Sequence, residues 1–194
     1  MALWGTSDSD ESKPKNLTTT EKKEVFATAS GWVREAGSAL SGNNNTNADP
    51  EILVAVSGLA VSLGAADVTE VEWITTTADK SAGFILSARV RYNEAVDVTG
   101  NPTLAVTNGN QGTGSGRGPH TLSYVSGTGT NELVFSLTIA AANAATNEDD
   151  VLVIGAQNIA LAGGTLKDKG TSTNSAVAIS AAQGTECGSI TVVA

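Results

Sequence analysis

The stretch Phe84-Ile-Leu-Ser-Ala-Arg-Val-Arg-Tyr92 alternates apolar with mainly polar side chains and puts Arg89 and Arg91 on one side. Successive side chains of a β-strand point to opposite faces of a sheet, so this period predicts a strand buried on one face. Leu133-Val-Phe-Ser-Leu-Thr-Ile139 repeats the pattern. The two arginines would form either a contact surface or a stripe paired with cross-strand acids such as Glu132.

Shorter apolar runs surround these two stretches, and turn-forming Gly, Asn and Pro residues separate them. The runs are residues 71–74, 103–106, 122–125, 151–154, 177–179 and 190–193. Short strands at this spacing, without an amphipathic helix long enough to cover a parallel sheet, are typical of antiparallel sandwiches. We therefore predict a mainly β fold, an antiparallel immunoglobulin-like β-sandwich of about eight strands, with a closed barrel as the alternative.

Two regions precede the predicted sandwich, which spans residues 67–194. Residues 1–24 are polar except for the isolated pair Leu3-Trp4, and we predict an extended N-terminal arm there. A neighbouring subunit would order such an arm, and packing on its own domain is the alternative. Residues 25–66 are predicted to form a small anchoring β region.

The anchoring region carries two apolar segments joined by a polar loop. Val25-Phe-Ala-Thr-Ala-Ser-Gly-Trp-Val33 and Glu51-Ile-Leu-Val-Ala-Val-Ser-Gly-Leu59 are predicted to pair as a β-hairpin. Upstream, Glu21-Lys-Lys-Glu24 follows the threonines at 18–20, whose hydroxyl groups can cap a helix. A helical turn leading into the first strand is therefore an alternative to extended chain.

Composition and charge restrict the classes of function. The net charge is −9 and the basic residues after Val68 are scattered, so the phosphate-tracking stripe of nucleic-acid-binding proteins is missing. A lone Cys187 excludes an internal disulfide, and the sequence lacks Cys/His spacing able to hold zinc. Apolar runs are shorter than the roughly 20 residues of a membrane span. The polar, acidic residues 1–16 do not resemble a signal peptide, so we expect folding in a cytoplasm.

Candidate catalytic side chains are sparse. His120 follows a glycine-rich loop, residues 108–119, without an orienting carboxylate or a nucleophile in a recognisable pattern, which favours a loop or strand-edge role. The loop contains Gly-x-Gly-x-Gly, but a strand is predicted at 121–125 where a dinucleotide site needs a helix. Cys187 is expected to be a small, partly buried side chain. We predict no catalytic residue, no cofactor and no enzymatic activity.

An acidic cluster is the candidate for metal binding. Glu148, Asp149 and Asp150 directly precede a predicted strand, and a solvated turn is the favoured interpretation. The alternative is a calcium site with Asp149, Asp150 and either Asp97 or Asp168 as oxygen ligands. Because EF-hand spacing is missing, we predict no metal site.

Three segments of the predicted sandwich carry a resemblance to a known module. They are Val90-Arg-Tyr-Asn-Glu-Ala-Val-Asp-Val-Thr-Gly-Asn-Pro-Thr-Leu104, Thr121-Leu-Ser-Tyr-Val-Ser-Gly-Thr-Gly-Thr-Asn-Glu-Leu-Val-Phe135 and Ile159-Ala-Leu-Ala-Gly-Gly-Thr-Leu-Lys-Asp168. These segments resemble the repeated module of large bacterial surface and swimming-motility proteins, an immunoglobulin-like or cadherin-like sandwich. Their order and spacing agree with the module. The resemblance implies the same sandwich here.

Four segments of the N-terminal part carry a second resemblance. They are Met1-Ala-Leu-Trp-Gly5, Lys13-Pro-Lys-Asn-Leu17, Phe26-Ala-Thr-Ala-Ser-Gly-Trp-Val33 and the segment at 51–59. In this order they resemble segments of virion structural proteins of marine tailed phages, notably those that infect cyanobacteria. Immunoglobulin-like domains of tailed phages usually decorate capsids or tails. The resemblance therefore implies a displayed module with an anchoring N-terminal part.

The expected function is that of a phage virion structural protein, a capsid decoration protein made in the host cytoplasm. Leu3, Trp4, Phe26 and Trp32 are the predicted partner-binding side chains, because exposed aromatic groups give the most apolar contact per ordered residue. Expected partners are the major capsid protein, other virion proteins and further copies of the chain, with a weak host-surface glycan contact as an option and neither nucleic acid nor a membrane. The alternatives are a neck, tail or baseplate component, and a secreted adhesin or carbohydrate-binding module, which an exposed aromatic platform would indicate.

Overall fold

The computed structural model describes residues 13–110 and 119–194, and the chain is mainly β there. The strands are β1 (Val25–Thr28), β2 (Gly31–Arg34), β3 (Glu51–Ala55), β4 (Val68–Trp73), β5 (Ala78–Asp79), β6 (Phe84–Thr99), β7 (Thr103–Asn110), β8 (His120–Ser126), β9 (Thr130–Ile139), β10 (Asp150–Val153), β11 (Gln157–Asn158), β12 (Thr165–Asp168), β13 (Ala178–Ile179) and β14 (Ser189–Val193). The helices are α1 (Thr19–Lys23) and α2 (Ala181–Cys187), with short 3-10 turns at Ala39–Ser41 and Leu59–Val61. Neither described α-helix is long enough to cross a membrane.

Twelve of these strands form one continuous sheet in the order β3-β2-β1-β6-β9-β8-β7-β10-β14-β5, with β4 and β12 also paired to β6. Strands β11 and β13 form a separate pair. Most neighbours are antiparallel, but β1 runs parallel to β6 and β14 runs parallel to β5. The prediction of a mainly β fold is confirmed. The sheet is mixed, however, and the described ranges contain more strands than the eight or so that were predicted.

The two stretches with the clearest alternation form the longest strands of the described chain. Strands β6 and β9 pair antiparallel, with Leu86 opposite Leu137 and Ala88 opposite Phe135. Phe135 is fully buried, and its ring meets that of Tyr124 edge to face at a centroid distance of 6.1 Å. Burial of each large apolar side chain contributes about 1.5–3 kcal/mol. This apolar face, with its partners from β7, β8, β10 and β14, is the main core of the molecule.

Strand β6 also pairs with a strand of the N-terminal region. Its register with β9 shifts between Arg91 and Val96, and at this irregularity β1 pairs with β6, with Ala27 beside Glu94. A β-bulge leaves backbone groups unpaired and bends the strand, which makes room for another partner. The same strand therefore belongs to the main core and holds the smaller region in place.

The smaller region is built on a three-stranded meander. Residues 25–33 were predicted as one strand, but they form β1 and β2, joined by a tight turn at Ala29-Ser30. The predicted pairing with residues 51–55 is confirmed, because β2 pairs antiparallel with β3. Gly31 begins β2 with φ at 126°, and a Cβ atom there would lie 2.0 Å from the carbonyl oxygen of Val54. Only glycine fits this close approach without moving the neighbouring strand.

A second, small core lies under this meander. It contains Val25, Ala27, Trp32 and Leu59, with Leu17 among the partly buried side chains packed against it. The Trp32 side chain is fully buried. The expectation that Trp32 offers an exposed ring is therefore wrong for this chain, because the ring fills the core of its own region.

Residues 13–24 fold onto the chain itself and are not extended as predicted. Thr18 caps α1, since its hydroxyl oxygen accepts from the Glu21 backbone N–H while the Glu21 carboxylate accepts from the Thr18 N–H at 2.8 Å. This reciprocal pair is a capping box, and it confirms the alternative of a helical turn before Val25. Pro14 is buried as well. Leu3 and Trp4 lie outside the described residues.

Candidate functional site between the N-terminal region and the main sheet

The polar face of β6 meets acidic side chains on both neighbouring strands. Arg89 and Arg91 are two residues apart and therefore share one face. On one side, antiparallel β4 places Glu72 opposite Arg89 and Glu70 opposite Arg91. On the other side, β9 places Glu132 opposite Arg91. The strand register thus brings two guanidinium groups and three carboxylates together.

Arg91 is the centre of this cluster. Its Nε donates to Glu132 Oε1 at 2.8 Å, its Nη1 to Glu70 Oε2 at 3.3 Å and its Nη2 to Glu35 Oε1 at 3.1 Å. Only 7% of the Arg91 side chain is exposed. Glu35 directly follows β2, so the third of these contacts joins the N-terminal region to the main sheet. A guanidinium group that donates to three carboxylates is held in one well-defined position.

Two further cations extend the ionic cluster. Arg89 donates to Glu72 and, through Nη1, to Glu132 Oε2 at 3.0 Å. Lys23 at the end of α1 lies 3.1 Å from Glu70 and 3.5 Å from Glu186. The cluster therefore ties α1 and the end of β2 to β4, β6 and β9. The expectation that the arginine stripe pairs with Glu132 is confirmed, although Arg91 is buried and not solvated.

A cleft of about 900 Å³ opens beside the cluster, between the N-terminal region and the main sheet. Phe26 and Thr28 of β1 line one wall, together with Glu24 and residues 35–39. The opposite wall is formed by Arg89, Arg91 and the segment 129–132. Solvent in the cleft therefore reaches the carboxyl groups of Glu35 and Glu132 while the chain stays folded.

The surroundings shift the pKa values of two ionisable groups in or beside the ionic cluster. Burial raises the pKa of Glu35 to about 7, and the nearby Glu132 carboxylate adds to this effect while Arg91 opposes it. Burial lowers the pKa of Lys13 to about 8, with Glu70 opposing. Both shifts follow from the cost of desolvating a charge. Glu35 therefore changes its protonation state near neutral pH.

A smaller cavity of about 280 Å³ lies on another side of Phe26. Its walls come mainly from apolar side chains and backbone of residues 26–29 and 60–61, with residues 94–95 and 169–170 completing it. Phe26 thus lines both cavities and is half-buried. Of the predicted partner-binding residues, Phe26 therefore lines solvent-accessible cavities, whereas Trp32 is buried in the small core.

His120 is the first residue of β8 and is buried. Its Nε2 lies 2.9 Å from the Thr146 hydroxyl group and 3.5 Å from the Asn108 side-chain nitrogen. Burial lowers its pKa, with the Asp150 carboxylate opposing. The histidine therefore holds residue 146 of the β9–β10 connection against β7 and β8, which fits the predicted strand-edge role.

The remaining candidate residues occupy structural positions. Cys187 ends α2 partly buried, as predicted, and burial raises the pKa of its thiol to about 11, which keeps the thiol protonated. Asp168 accepts from the Thr171 hydroxyl group at 2.8 Å. Asp150 accepts from the Asn147 backbone N–H at 2.7 Å. Within the described ranges, carboxylate, His and Cys side chains do not gather into a group that could hold a metal ion.

Sequence reasoning found Arg89, Arg91 and Glu132 but missed Glu35 and the acids of β4. Glu70 and Glu72 are two residues apart, as Arg89 and Arg91 are. This matching spacing was the one feature of the sequence that could have indicated their pairing. Glu35 offers no such signal, because its position depends on how the two regions pack. Comparison of the chain with protein-family models, curated proteins and solved structures found no match.

Proposed function

We propose that the chain is a non-enzymatic structural protein of a phage particle, a capsid decoration protein that displays an immunoglobulin-like β-sandwich and is anchored through its N-terminal region. The sequence resemblances to phage virion proteins and to surface-displayed sandwich modules support this proposal. The mainly β fold is compatible with both. The division of the molecule into a main core and a smaller attached region matches a displayed domain with an anchor.

The observation that carries the proposal is the position of β3. This strand lies at one end of the continuous sheet, beside β2 of the N-terminal region. Its Ile52 side chain is 57% exposed. An outermost strand with an exposed aliphatic side chain offers both backbone groups and apolar area to a partner protein. The N-terminal region therefore offers a surface suited to attachment.

The character of the exposed side chains supports a protein partner. Leu40, Ile52 and Val61 are the large hydrophobic side chains exposed on the N-terminal region as described, and all are aliphatic. In the described residues of this region, these side chains do not form the exposed aromatic platform that would indicate a carbohydrate-binding module. The major capsid protein or another virion protein is therefore the proposed partner.

The pairing of the two arginines with carboxylates of the same chain supports a structural role for the cleft. Arg91 and Arg89 pair with carboxylates of β4 and β9, and Arg91 also pairs with Glu35 directly after β2, so their charges are used within the chain. A general acid or base needs a partner aligned for a substrate, whereas these contacts fix one region against another. The ionic cluster therefore functions as a joint between anchor and displayed domain.

Mass-spectrometric quantification of purified virus particles tests the proposal. A decoration protein is expected at hundreds of copies per particle, in proportion to the major capsid protein. About a dozen copies would indicate a neck, tail or baseplate position, because those parts follow low-order rotational symmetry. Particles that do not contain the chain at all would contradict a virion role.

A pair of matched variants tests the anchoring surface. Ile52→Asp changes the exposed residue of β3, and Ile85→Asp changes an equally exposed residue of β6, 61% accessible, in the main sheet. We expect Ile52→Asp to weaken co-sedimentation with particles stripped of the chain by about tenfold or more, since a charge would replace an interface aliphatic group. Ile85→Asp should bind like the wild type. Equal binding by both variants would contradict anchoring through β3.

A further inference from the structure

Glu35 joins two regions of the molecule through a contact that includes a second carboxyl group. Its Oε1 accepts from Arg91 Nη2 at 3.1 Å, while Glu132 Oε1 accepts from Nε of the same guanidinium group at 2.8 Å, so the two carboxyl groups lie side by side on Arg91. Glu132 already accepts from Arg89 and Arg91. Two carboxylates that close repel each other unless one of them holds a proton.

Charged groups of the neighbouring elements surround this contact. Arg89, Arg91 and Glu132 act directly on the Glu35 carboxyl group, and Glu70 and Glu72 lie on the other side of Arg91. Further out, Lys23 pairs with Glu70 and Glu186, Lys13 lies near Glu70 and Arg91, and Glu24 lines the same cleft. Arg91 keeps Glu70 and Glu132 as partners when Glu35 holds a proton, so that proton relieves repulsion between Glu35 and Glu132 without leaving an unpaired cation.

We propose that Glu35 is a proton-operated latch between the N-terminal region and the main sheet. With a proton on its carboxyl group, Glu35 donates to the Glu132 carboxylate and accepts from Arg91, so the two regions are held together. Loss of that proton places two carboxylates side by side, and the N-terminal region opens more readily. The adjacent cleft of about 900 Å³ lets water exchange this proton without unfolding of the chain.

The sign of the pH dependence follows from the direction of the pKa shift. Burial in the closed form raises the pKa of Glu35 from 4.5 to about 7. A group with a raised pKa binds its proton more tightly in the closed form, so the stabilisation is fully present below pH 4.5 and is lost as the pH rises through 7. The latch is therefore strongest in mild acid and weakest above neutral pH.

Amide hydrogen exchange of the intact chain across this pH range tests the latch. After correction for intrinsic exchange, protection of β1 and β2 relative to β9 should increase by up to about tenfold for each pH unit of acidification between 7 and 4.5, the effect of one linked proton. Glu35→Gln imitates the protonated side chain, since its amide can donate to Glu132 and accept from Arg91. This variant should show high protection at all these pH values.

The matched control is Glu51→Gln, which removes an exposed carboxylate that pairs with Arg34 at 3.4 Å in the same region. It should keep the wild-type pH dependence. The proposal would be overturned if protection of β1 and β2 in Glu35→Gln changed with pH as it does in the wild type. It would also be overturned if this protection did not change with pH in the wild type. If Glu35→Gln does not fold, carbon-13 NMR titration of Glu35 in the wild type decides the question, because a value near 4.5 would exclude the latch.

Discussion

The main sheet and the N-terminal region differ in how each is held together. The main core is a continuous apolar layer from many strands, with Phe135, Leu133 and Leu86 fully buried at its centre. The N-terminal region has a small core around Trp32 and is joined to the main sheet partly through an ionic cluster. A large apolar layer is stable by itself, whereas a small core gains less from burial. The comparison indicates that the main sheet is the more stable part and that the N-terminal region opens more easily.

This difference determines where the molecule can open. Regions with few buried apolar contacts open locally at a lower free energy than the core of a domain. The N-terminal region meets the main sheet through the ionic contacts of Arg91 and Lys23, the short pairing of β1 with β6, and hydrogen bonds from the Thr171 and Thr173 hydroxyl groups to the Gly64 carbonyl oxygen. We therefore expect it to open without unfolding of the main sheet.

The largest expected effect is on the main core. Phe135→Ala removes a fully buried ring from the centre of β9 and should lower the free energy of unfolding of the whole chain by about 3–5 kcal/mol. Urea denaturation followed by circular dichroism measures this change. The control Ile85→Ala, on the exposed side of neighbouring β6, should stay within about 0.5 kcal/mol of the wild type. Equal effects of the two substitutions would contradict the assignment of the core.

A smaller and local effect is expected in the N-terminal region. Trp32→Ala removes the largest side chain of the small core. It should lower the free energy of local opening by about 3 kcal/mol, which is the lower end of the range for replacing a buried Phe or Trp by Ala. Amide exchange should then increase in β1 and β2 while protection of β9 stays near the wild-type level. Trp32→Phe keeps part of the ring volume and should have a weaker effect. If Trp32→Ala destabilised β9 as strongly as β1, the two regions would form a single cooperative unit.

The smallest effect is expected at the cap of α1. Thr18→Ala removes the hydroxyl group that accepts from Glu21 N–H and should destabilise the helical turn by about 1 kcal/mol. Exchange of the amides of α1 should become faster, with little change elsewhere. Thr18→Ser keeps the hydroxyl group and should behave like the wild type. An unchanged exchange rate in Thr18→Ala would show that the cap does not stabilise this turn.

The main sheet was predictable because its strands alternate over long stretches. Residues 84–92 and 133–139 each place several apolar side chains on one face, and this signal does not depend on which strands become neighbours. The order of the strands was not predictable, since alternation carries no information on pairing. The parallel contact of Ala27 with Glu94 is an example, because it arises from an irregularity in β6.

The N-terminal region was less predictable because its segments are short. Residues 25–33 contain apolar side chains throughout, and the turn at Ala29-Ser30 lacks the Asn-Gly or Asp-Gly pairs that mark tight hairpins. The burial of Trp32 depends on the return of the chain at Leu59. Glu35 was missed for the same reason, since its pairing with Arg91 exists only after the two regions have docked.

The anchoring role can be tested most directly by lysine cross-linking mass spectrometry of intact particles. Lys15 in the N-terminal region and Lys169 in the main domain are both exposed, which makes them a matched pair of reporters. Anchoring through the N-terminal region predicts cross-links from Lys15 to another virion protein, and few or none from Lys169. Cross-links that come mainly from Lys169 would contradict the account, because the main sheet would then be the attached part.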